Sequence, residues 1–311
     1  MDRLRKPVHK FYQQMKNNQI AGYAAGIITG VTYGLNPLFA VPLMKNGVNV
    51  ESILFFRYFL AVILLGLWLV IRRQNFRVSG KQAIRLVILG LLFTASSLCL
   101  FEAYNFIPSG LATTIVFLYP VLVAIIMVFL KVYPTWQVWL SIIVTFIGVI
   151  ILCKGDSSTQ LQWTGLLLSG TSALAYAMFI VVVNRSTRIR TIPGTMLTFY
   201  ALLVGSAVFF AMALAEGHSL LAGLDNIAAW GSLTGLAVLP TIVSTATLAV
   251  ATRLIGATKA SVLGVFEPVT AILVGAIAFG EPVTTNVIIG IVLTMAAITF
   301  MVISSAHKAE R

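Results

Sequence analysis

The sequence predicts an all-α integral membrane protein with ten transmembrane helices, arranged as two inverted five-helix repeats with both termini in the cytoplasm. Three observations predict this fold class: a very apolar composition, ten apolar runs of spanning length, and a likeness between the two halves of the chain. The chain is 59% hydrophobic and 10% charged, and its mean hydropathy is +0.97. Soluble domains are about 45–50% apolar and about 25% charged, so a soluble fold could not bury this sequence.

The ten apolar runs are the predicted transmembrane spans. A spanning helix needs about 20 mostly apolar residues, because lipid offers no hydrogen-bond partner to an open backbone. In chain order the runs are Ile20–Met44, Val50–Ile71, Ile84–Ile107, Gly110–Leu130, Trp136–Cys153, Gly165–Val183, Thr195–Ala215, Ala228–Leu248, Ala260–Phe279 and Thr285–Ser304. The predicted organisation is a basic N-terminal segment (1–19), a first repeat (20–153), an extracytoplasmic linker (154–164), a second repeat (165–304) and a cytoplasmic tail (305–311).

The positions of lysine and arginine predict the orientation. Short cytoplasmic loops are enriched in both residues, and with the N-terminus inside 18 of the 21 fall on the cytoplasmic side. Lys45 and Lys154 fall outside, and Arg57 lies within a span. The net charge of +12 is spread over these short segments. That distribution favours anionic membrane lipid as a partner over nucleic acid, and predicts a multi-pass protein of a bacterial-type cytoplasmic (inner) membrane.

The two halves of the chain show a weak, long self-similarity. Tyr33 aligns with Tyr176 at a shift of 143 residues, and Tyr119-Pro120-Val121 aligns with Glu267-Pro268-Val269 at a shift of 148. Five spans are an odd number, so the second half enters the membrane with the opposite polarity. The alternative is chance similarity among apolar segments. Inverted repeats recur in secondary transporters, where the substrate binds near the midplane between the repeats.

Several short motifs carry a family resemblance along nearly the whole chain. They are Phe56-Arg57-Tyr58-Phe59-Leu60-Ala61, Ala103 to Ile107 followed by Ser109-Gly110, Tyr119-Pro120-Val121, Ala260-Ser261, Phe266-Glu267-Pro268-Val269, Gly280-Glu281-Pro282-Val283 and Ile288-Ile289-Gly290. In their order and spacing they resemble the drug/metabolite transporter superfamily, specifically its EamA-type members. That resemblance implies ten helices in two inverted repeats, and export or exchange of amino acids, related metabolites or drugs. It also implies no ATP hydrolysis and no cofactor.

The two joints that follow spans 4 and 9 differ. Members of the family often carry a Gly-Glu pair after span 4, whereas this chain reads Lys131-Val132-Tyr133-Pro134. The corresponding joint after span 9 keeps Gly280-Glu281-Pro282. Glu281 is expected to be solvated or to cap span 10.

Three ionisable residues fall within spans, where a charge costs about 2.5–3.5 kcal/mol or more at the bilayer centre. They are Arg57, Glu102 and Glu267. Arg57 and Glu102 are predicted about 10 Å and about 8 Å from the outer ends of spans 2 and 3, which allows a buried ion pair. Two interpretations stay open. The pair locks the two spans together, or Arg57 binds a substrate carboxylate while Glu102 binds an ammonium group or stabilises Arg57.

Glu267 is predicted about 12 Å deep in span 9, directly before Pro268. Proline removes a backbone donor and frees a carbonyl one turn earlier, which creates a polar gap beside the carboxylate. Glu267 is therefore a candidate for binding a substrate amine or a coupling proton. The alternative is a structural carboxylate satisfied by hydroxyl groups or by Lys259.

Further polar residues accompany the predicted helix breaks at Pro37, Pro120 and Pro268. The predicted substrate-binding residues are Arg57, Glu102, Tyr119, Glu267, Tyr33, Asn36 and Tyr176. Tyrosines can donate or accept hydrogen bonds in a mixed cavity, although aromatic residues in spans also serve as packing residues or interfacial anchors. Gly22, Gly26, Gly30 and Gly34 recur every fourth residue, and indicate close packing of span 1 or a surface on which it slides.

The sequence favours a secondary transporter over the other classes of membrane protein. Both cysteines lie in apolar runs and the three histidines in termini or loops, so neither a metal site nor an enzyme is predicted. The opposite charges of Arg57 and Glu267 favour an amino acid or a related zwitterion, exported or exchanged by alternating access as a monomer or homodimer. Protons are the candidate coupling ion. The alternatives are a neutral or cationic metabolite or drug, a channel, or a membrane-embedded enzyme.

Overall fold

The computed structural model describes the backbone of residues 2–153, 162–189, 191–217 and 219–309. Within these ranges side chains are described from Asn18 to Ser304, except Cys153, Ala257 and Thr258. Most of the predicted linker, and the side chains of most of the predicted N-terminal segment and of the tail, lie outside the described residues.

Ten apolar helices make up the described part of the chain. Numbered by span, with a and b for the two parts of an interrupted helix, they are α1a Asp2–Gly34, α1b Asn36–Lys45, α2 Val50–Ile71, α3 Gly80–Ala103, α4a Ser109–Val116, α4b Tyr119–Phe129, α5 Trp136–Cys153, α6 Trp163–Arg185, α7 Gly194–Ala215, α8a Ile227–Ala237, α8b Ser244–Ile255, α9a Ala257–Leu263, α9b Phe266–Phe279 and α10 Thr285–Ala309. Among the described residues nine spans are long and apolar enough to cross a membrane, and the apolar part of α5 is shorter, at Trp136–Leu152. The predicted all-α, ten-helix membrane fold is confirmed. The cytoplasmic location of the termini stays a prediction.

Three spans are interrupted near their middle. The breaks fall at Leu35 in α1, after Val116 in α4 and after Leu263 in α9. Each second part then carries a proline within its first three residues: Pro37, Pro120 and Pro268. A proline in the first turn costs nothing there, because the first amides of a helix have no intrahelical acceptor. A fourth irregularity, which our sequence prediction missed, is a π-helical segment at Val238–Val243 that contains Pro240.

Helix α3 is displaced from its predicted position by one turn. It begins at Gly80 rather than Ile84, because Ser79 and Gln82 form a capping box: the Gln82 amide bonds the Ser79 side chain, and the Gln82 side chain bonds the Ser79 amide. It ends at Ala103 rather than Ile107. Glu102 therefore lies in the last turn of α3 and not five residues inside it.

The two repeats pack against each other helix by helix. The closest helix pairs are α5 with α10, α3 with α6, α1a with α8b, and α2 with α7. The outer faces are apolar, as expected for contact with lipid: Ile71, Phe129 and Ile277 are 78%, 81% and 83% exposed. Several polar contacts cross between the repeats, among them Thr29 with Thr247, Arg57 with Thr241 and Ser96 with Ser172.

The glycine stripe of α1 lies against α8b and α9. A Cβ on Gly30 would lie 2.8 Å from the Cβ of Phe266 and 3.2 Å from the Glu267 amide nitrogen. A Cβ on Gly34 would meet the Glu267 carbonyl oxygen and lie 2.7 Å from the Cβ of Thr270. The small residues thus let the α1 backbone approach the break of α9 closely, which is the packing interpretation of the stripe.

The two ends of the helix bundle are packed differently. We call the end that carries both termini the terminal end and the opposite end the distal end. At the distal end α4a of the first repeat packs against α9b of the second. The inverted repeat relates this pair to α4b and α9a at the terminal end, and in the described part of the chain those two segments do not pack closely. The contact between these segments of the two repeats is therefore more extensive at the distal end than at the terminal end.

Candidate functional site

Arg57 lies in the core of the bundle and is only 2% exposed. Its Nε donates a hydrogen bond to the Thr241 hydroxyl at 3.0 Å. Its guanidinium carbon lies 5.3 Å from the Phe101 ring centroid and 5.8 Å from that of Tyr58, within the range of cation–π attraction. In the described part of the chain none of the contacts of Arg57 is with a carboxylate. A buried guanidinium of this kind is stabilised by an anion that it meets as a bidentate partner.

The π-helical segment of α8 presents Thr241 to Arg57. The Thr241 hydroxyl, 4% exposed, donates its hydrogen to the Leu236 carbonyl oxygen five residues earlier, at 3.0 Å. Its oxygen then accepts the Arg57 Nε–H bond. A π turn widens the helix by one residue, and such segments occur frequently at functional sites.

Glu267 is the second residue of α9b and lies at the break of α9. Protein atoms surround it, yet its side chain is partly exposed, so the carboxylate faces an internal cavity and not lipid. Its amide bonds the Gly264 carbonyl at 2.9 Å. In the described part of the chain, the side chain is held by neither a hydroxyl group nor Lys259, which is exposed.

Four tyrosines lie within electrostatic range of the Glu267 carboxylate: Tyr33, Tyr104, Tyr119 and Tyr176. All four are partly exposed inside the bundle. Two of them, Tyr33 and Tyr104, are also within electrostatic range of Arg57. Arg57 and Glu267 therefore share Tyr33 and Tyr104 as neighbours within electrostatic range.

The rings next to Glu267 form a continuous aromatic wall. The Tyr119 and Tyr176 centroids are 4.8 Å apart at 85°, and Tyr176 stacks on Phe179 at 5.9 Å. Phe117 meets Tyr119 edge-on at 5.8 Å. Tyrosine faces and a carboxylate together attract an ammonium group.

Asn36 lies at the break of α1 and is 2% exposed. Its Nδ2 donates to the Tyr33 carbonyl oxygen at 2.8 Å, which satisfies a group released by the break. Its Oδ1 is buried without a hydrogen-bond partner in the described structure. Asn36 thus supports the backbone beside Tyr33.

The predicted pairing of Arg57 with Glu102 is wrong. Glu102 is only half-buried, accepts a bond from Asn105 Nδ2 at 3.1 Å, and has the carboxylates Glu51 and Glu216 as its charged neighbours. Arg57 points instead into the bundle toward α8. Two differences separate the residues. Glu102 lies in the last turn of α3 and is thus less deep than predicted, and the two helices turn the side chains to different faces, because each residue rotates the direction by about 100°.

Glu281 also differs from its prediction. It neither caps α10 nor is fully solvated. Its Oε1 accepts bonds from the Ser109 amide and hydroxyl at 2.8 and 2.7 Å, and its Oε2 accepts one from the Gly110 amide at 3.3 Å. The carboxylate therefore caps α4a of the other repeat, where the positive end of the helix dipole favours it.

Two residues of the site were missing from the sequence prediction. Thr241 follows Pro240, and a proline inside a span was the signal used for the other breaks, so its position was readable from the sequence. Tyr104 follows the end of α3, and the sequence offers no signal that it reaches the space between Arg57 and Glu267.

The chain also matches known proteins. The sequence profile of the EamA-like transporter family matches residues 20–153 and 163–303. The chain belongs to this family. Its two matched stretches lie one in each repeat, and the chain is a multi-pass membrane protein of this transporter family.

Individual relatives are more distant. The chain is 25% identical over 222 residues to an uncharacterized transporter of Synechocystis sp., an alignment that covers 68% of this chain and 64% of that protein. A crystal structure of 14% sequence identity superposes with a TM-score of 0.64 over 94% of this chain and 99% of the other. At that identity the superposition shows a shared fold and nothing further.

Proposed function

We propose that this member of the EamA-like family is a secondary transporter that exports or exchanges an amino acid or a related zwitterion across the cytoplasmic membrane. The observation that carries the proposal is the arrangement of Arg57 and Glu267. These opposite charges share the neighbours Tyr33 and Tyr104, and neither is neutralised by an ion pair in the described part of the chain.

The two charges suit the two ends of a zwitterion. The guanidinium of Arg57 binds the carboxylate, since its planar fork forms two parallel bonds with it. Glu267 and the Tyr119–Tyr176 pair bind the ammonium group. Removing either charged end from the substrate then leaves a buried charge of the protein unpaired, which makes recognition selective.

The difference between the two ends of the bundle supports alternating access. The site lies at the breaks of α1, α4 and α9, where the two repeats meet. When the terminal end closes and the distal end opens, the two repeats exchange conformations, as in other inverted-repeat carriers. Glu267 is available to bind a proton when the site holds no ammonium group.

Counterflow in proteoliposomes tests the transport function. Vesicles loaded with one unlabelled amino acid are diluted into the same labelled amino acid, over a panel of amino acids and amines. A carrier accelerates uptake of label when unlabelled solute is inside, whereas a channel does not. Acceleration by at least one amino acid is expected, and acceleration by amines alone would replace the zwitterion with a cationic substrate.

Arg57→Gln, with Arg72→Gln at the end of the same helix as the matched control, tests the binding mode. We expect Arg57→Gln to abolish counterflow of the amino acid and Arg72→Gln to retain it. Arg72 lies outside the cavity, exposed and 5.6 Å from the Trp68 ring. Equal counterflow by the two variants would refute binding by Arg57.

A further inference from the structure

The way in which Thr241 holds Arg57 determines which nitrogen atoms of the guanidinium can bind a substrate. An arginine fork can bind a carboxylate side-on, through Nε and one Nη, or end-on, through both Nη atoms. Nε donates its hydrogen to the Thr241 hydroxyl, and this hydroxyl donates its own hydrogen to the Leu236 carbonyl. The ring centroids of Phe101 and Tyr58 lie 5.3 and 5.8 Å from the guanidinium carbon. The edge formed by the two Nη atoms is therefore left to bind a carboxylate end-on.

We infer that Thr241 is a positioning residue that holds Arg57 for end-on binding of a substrate carboxylate. The inference rests on the proposed function and adds a specificity determinant to the same site. Thr241 acts through Arg57 and does not itself contact the substrate. Its effect is therefore confined to solutes that carry a carboxylate.

Three threonine variants isolate this role. Thr241→Val keeps the side-chain shape and removes the acceptor, whereas Thr241→Ser keeps the hydroxyl. Thr245→Val is the matched control one turn later, because the Thr245 hydroxyl bonds only the carbonyls of Thr241 and Ile242 in its own helix. Binding is measured as ligand-induced thermal shift of the purified full-length transporter, with leucine and with 3-methylbutylamine, the same molecule without its carboxylate.

Thr241→Val is expected to weaken leucine binding about tenfold, as for the loss of one hydrogen bond to a charged group, and to leave amine binding unchanged. Thr241→Ser and Thr245→Val retain both affinities. Equal loss for leucine and the amine, or no loss, would overturn the positioning role while the proposed substrate class stands. If the wild type bound no amino acid of the counterflow panel, both the positioning role and the proposed substrate class would be refuted. If it bound an amino acid other than leucine, the experiment would use that amino acid and its decarboxylated amine.

A separate observation concerns the distal end. Glu281 of the second repeat bonds Ser109 and Gly110 of the first, and a Cβ on Gly110 would lie 2.8 Å from the Ile272 Cα. The carboxylate thus joins the two repeats across the seam between α4a and α9b. Alternating access requires this seam to open.

The joint after α4b, which the structure describes, carries no carboxylate. In the joint after α4b, Lys131 adopts the left-handed conformation (φ 62°), as Gly280 does after α9b (φ 67°). When the two joints are aligned, Val132 and Tyr133 occupy the positions that correspond to Glu281. We propose that Glu281 latches the distal end in its closed state.

Cysteine labelling tests the latch without a substrate. In a background with Cys99→Ser and Cys153→Ser, Ile272→Cys reports on opening of the seam, and Ile291→Cys, at a buried position of α10, reports on general loosening. A membrane-impermeant maleimide is added to the distal face of vesicles. Glu281→Gln is expected to raise labelling at position 272 about tenfold, the effect of losing a charged helix cap, and not at position 291. Glu51→Gln is the matched control, because it removes another carboxylate, which lies in the first turn of α2.

Unchanged labelling in Glu281→Gln, a rise at both reporters, or an equal rise in Glu51→Gln would overturn the latch. Wild-type counterflow tests the transport function independently of this result.

Discussion

The Glu281 carboxylate accepts hydrogen bonds from both the amide and the hydroxyl of Ser109, a residue that lies 172 positions earlier and is 2% exposed. Glu281 belongs to the second repeat and caps the buried start of α4a in the first repeat. It therefore stabilises the fold as well as the closed distal end. Glu281→Ala leaves the Ser109 amide buried without a partner, at a cost of about 1–3 kcal/mol.

We therefore expect Glu281→Ala to lower the thermal unfolding midpoint in detergent, and Ser109→Ala to lower it less, because only the hydroxyl bond is lost. Midpoints measured by intrinsic fluorescence check this order. A drop in Ser109→Ala as large as that in Glu281→Ala would contradict the capping role.

The glycine stripe gives a second prediction. Gly34→Ala forces a Cβ against the Glu267 carbonyl and Thr270, and overpacking of this kind costs about 1–3 kcal/mol. Gly170→Ala in α6 meets no atom within 4 Å and gains up to about 1 kcal/mol from helix propensity. Thermal midpoints should move in opposite directions. Gly34→Ala as stable as Gly170→Ala would show that α1 does not approach α9 so closely.

The end of α4b gives a third prediction. Lys131 has φ 62°, and the amides of Lys131 and Val132 bond the Val128 and Met127 carbonyls at 2.9 Å each, which is a Schellman motif with lysine where glycine is favoured. Lys131→Gly should raise stability by about 0.5–1 kcal/mol, because glycine adopts this conformation without strain. Lys131→Ala, which removes the same charge and keeps the strain, should bring no such gain in midpoint.

Glu267 gives a fourth prediction, which concerns pH. Glutamine keeps the shape of the side chain and cannot exchange a proton. Counterflow by Glu267→Gln should be slower than that of the wild type, because the substrate ammonium group loses its carboxylate partner, and it should lose the pH dependence of the wild type between about pH 5 and 9. Glu102→Gln, which removes a half-buried carboxylate whose charged neighbours are Glu51 and Glu216, serves as control. Full transport by Glu267→Gln with an unchanged pH profile would remove Glu267 from both amine binding and proton coupling.

Much of the fold could be predicted from the sequence, because hydropathy over about 20 residues is a local property. The bounds of α2 were predicted to the residue, at Val50–Ile71. The start of α3 was missed because hydropathy ignores the Ser79–Gln82 capping box, which is itself visible in the sequence.

The site was harder to predict, because it depends on which way each helix turns its side chains. Depth alone suggested Arg57 with Glu102, whereas the partner of Arg57 is Thr241, 184 residues away in the other repeat. The same limit hid the bond between Glu281 and Ser109. Contacts between the repeats depend on the rotation of each helix and on the inverted symmetry, and a local sequence pattern predicts neither of them.

The central claim is that one cavity holds both charged ends of a zwitterion, and binding to the wild-type protein tests it most directly. Thermal shifts are measured with an amino acid that gives counterflow, with its methyl ester, which lacks the carboxylate, and with its N-acetyl derivative, which lacks the ammonium group. We predict a shift with the free amino acid and at most a much weaker one with either derivative. Equal shifts with all three would contradict the claim.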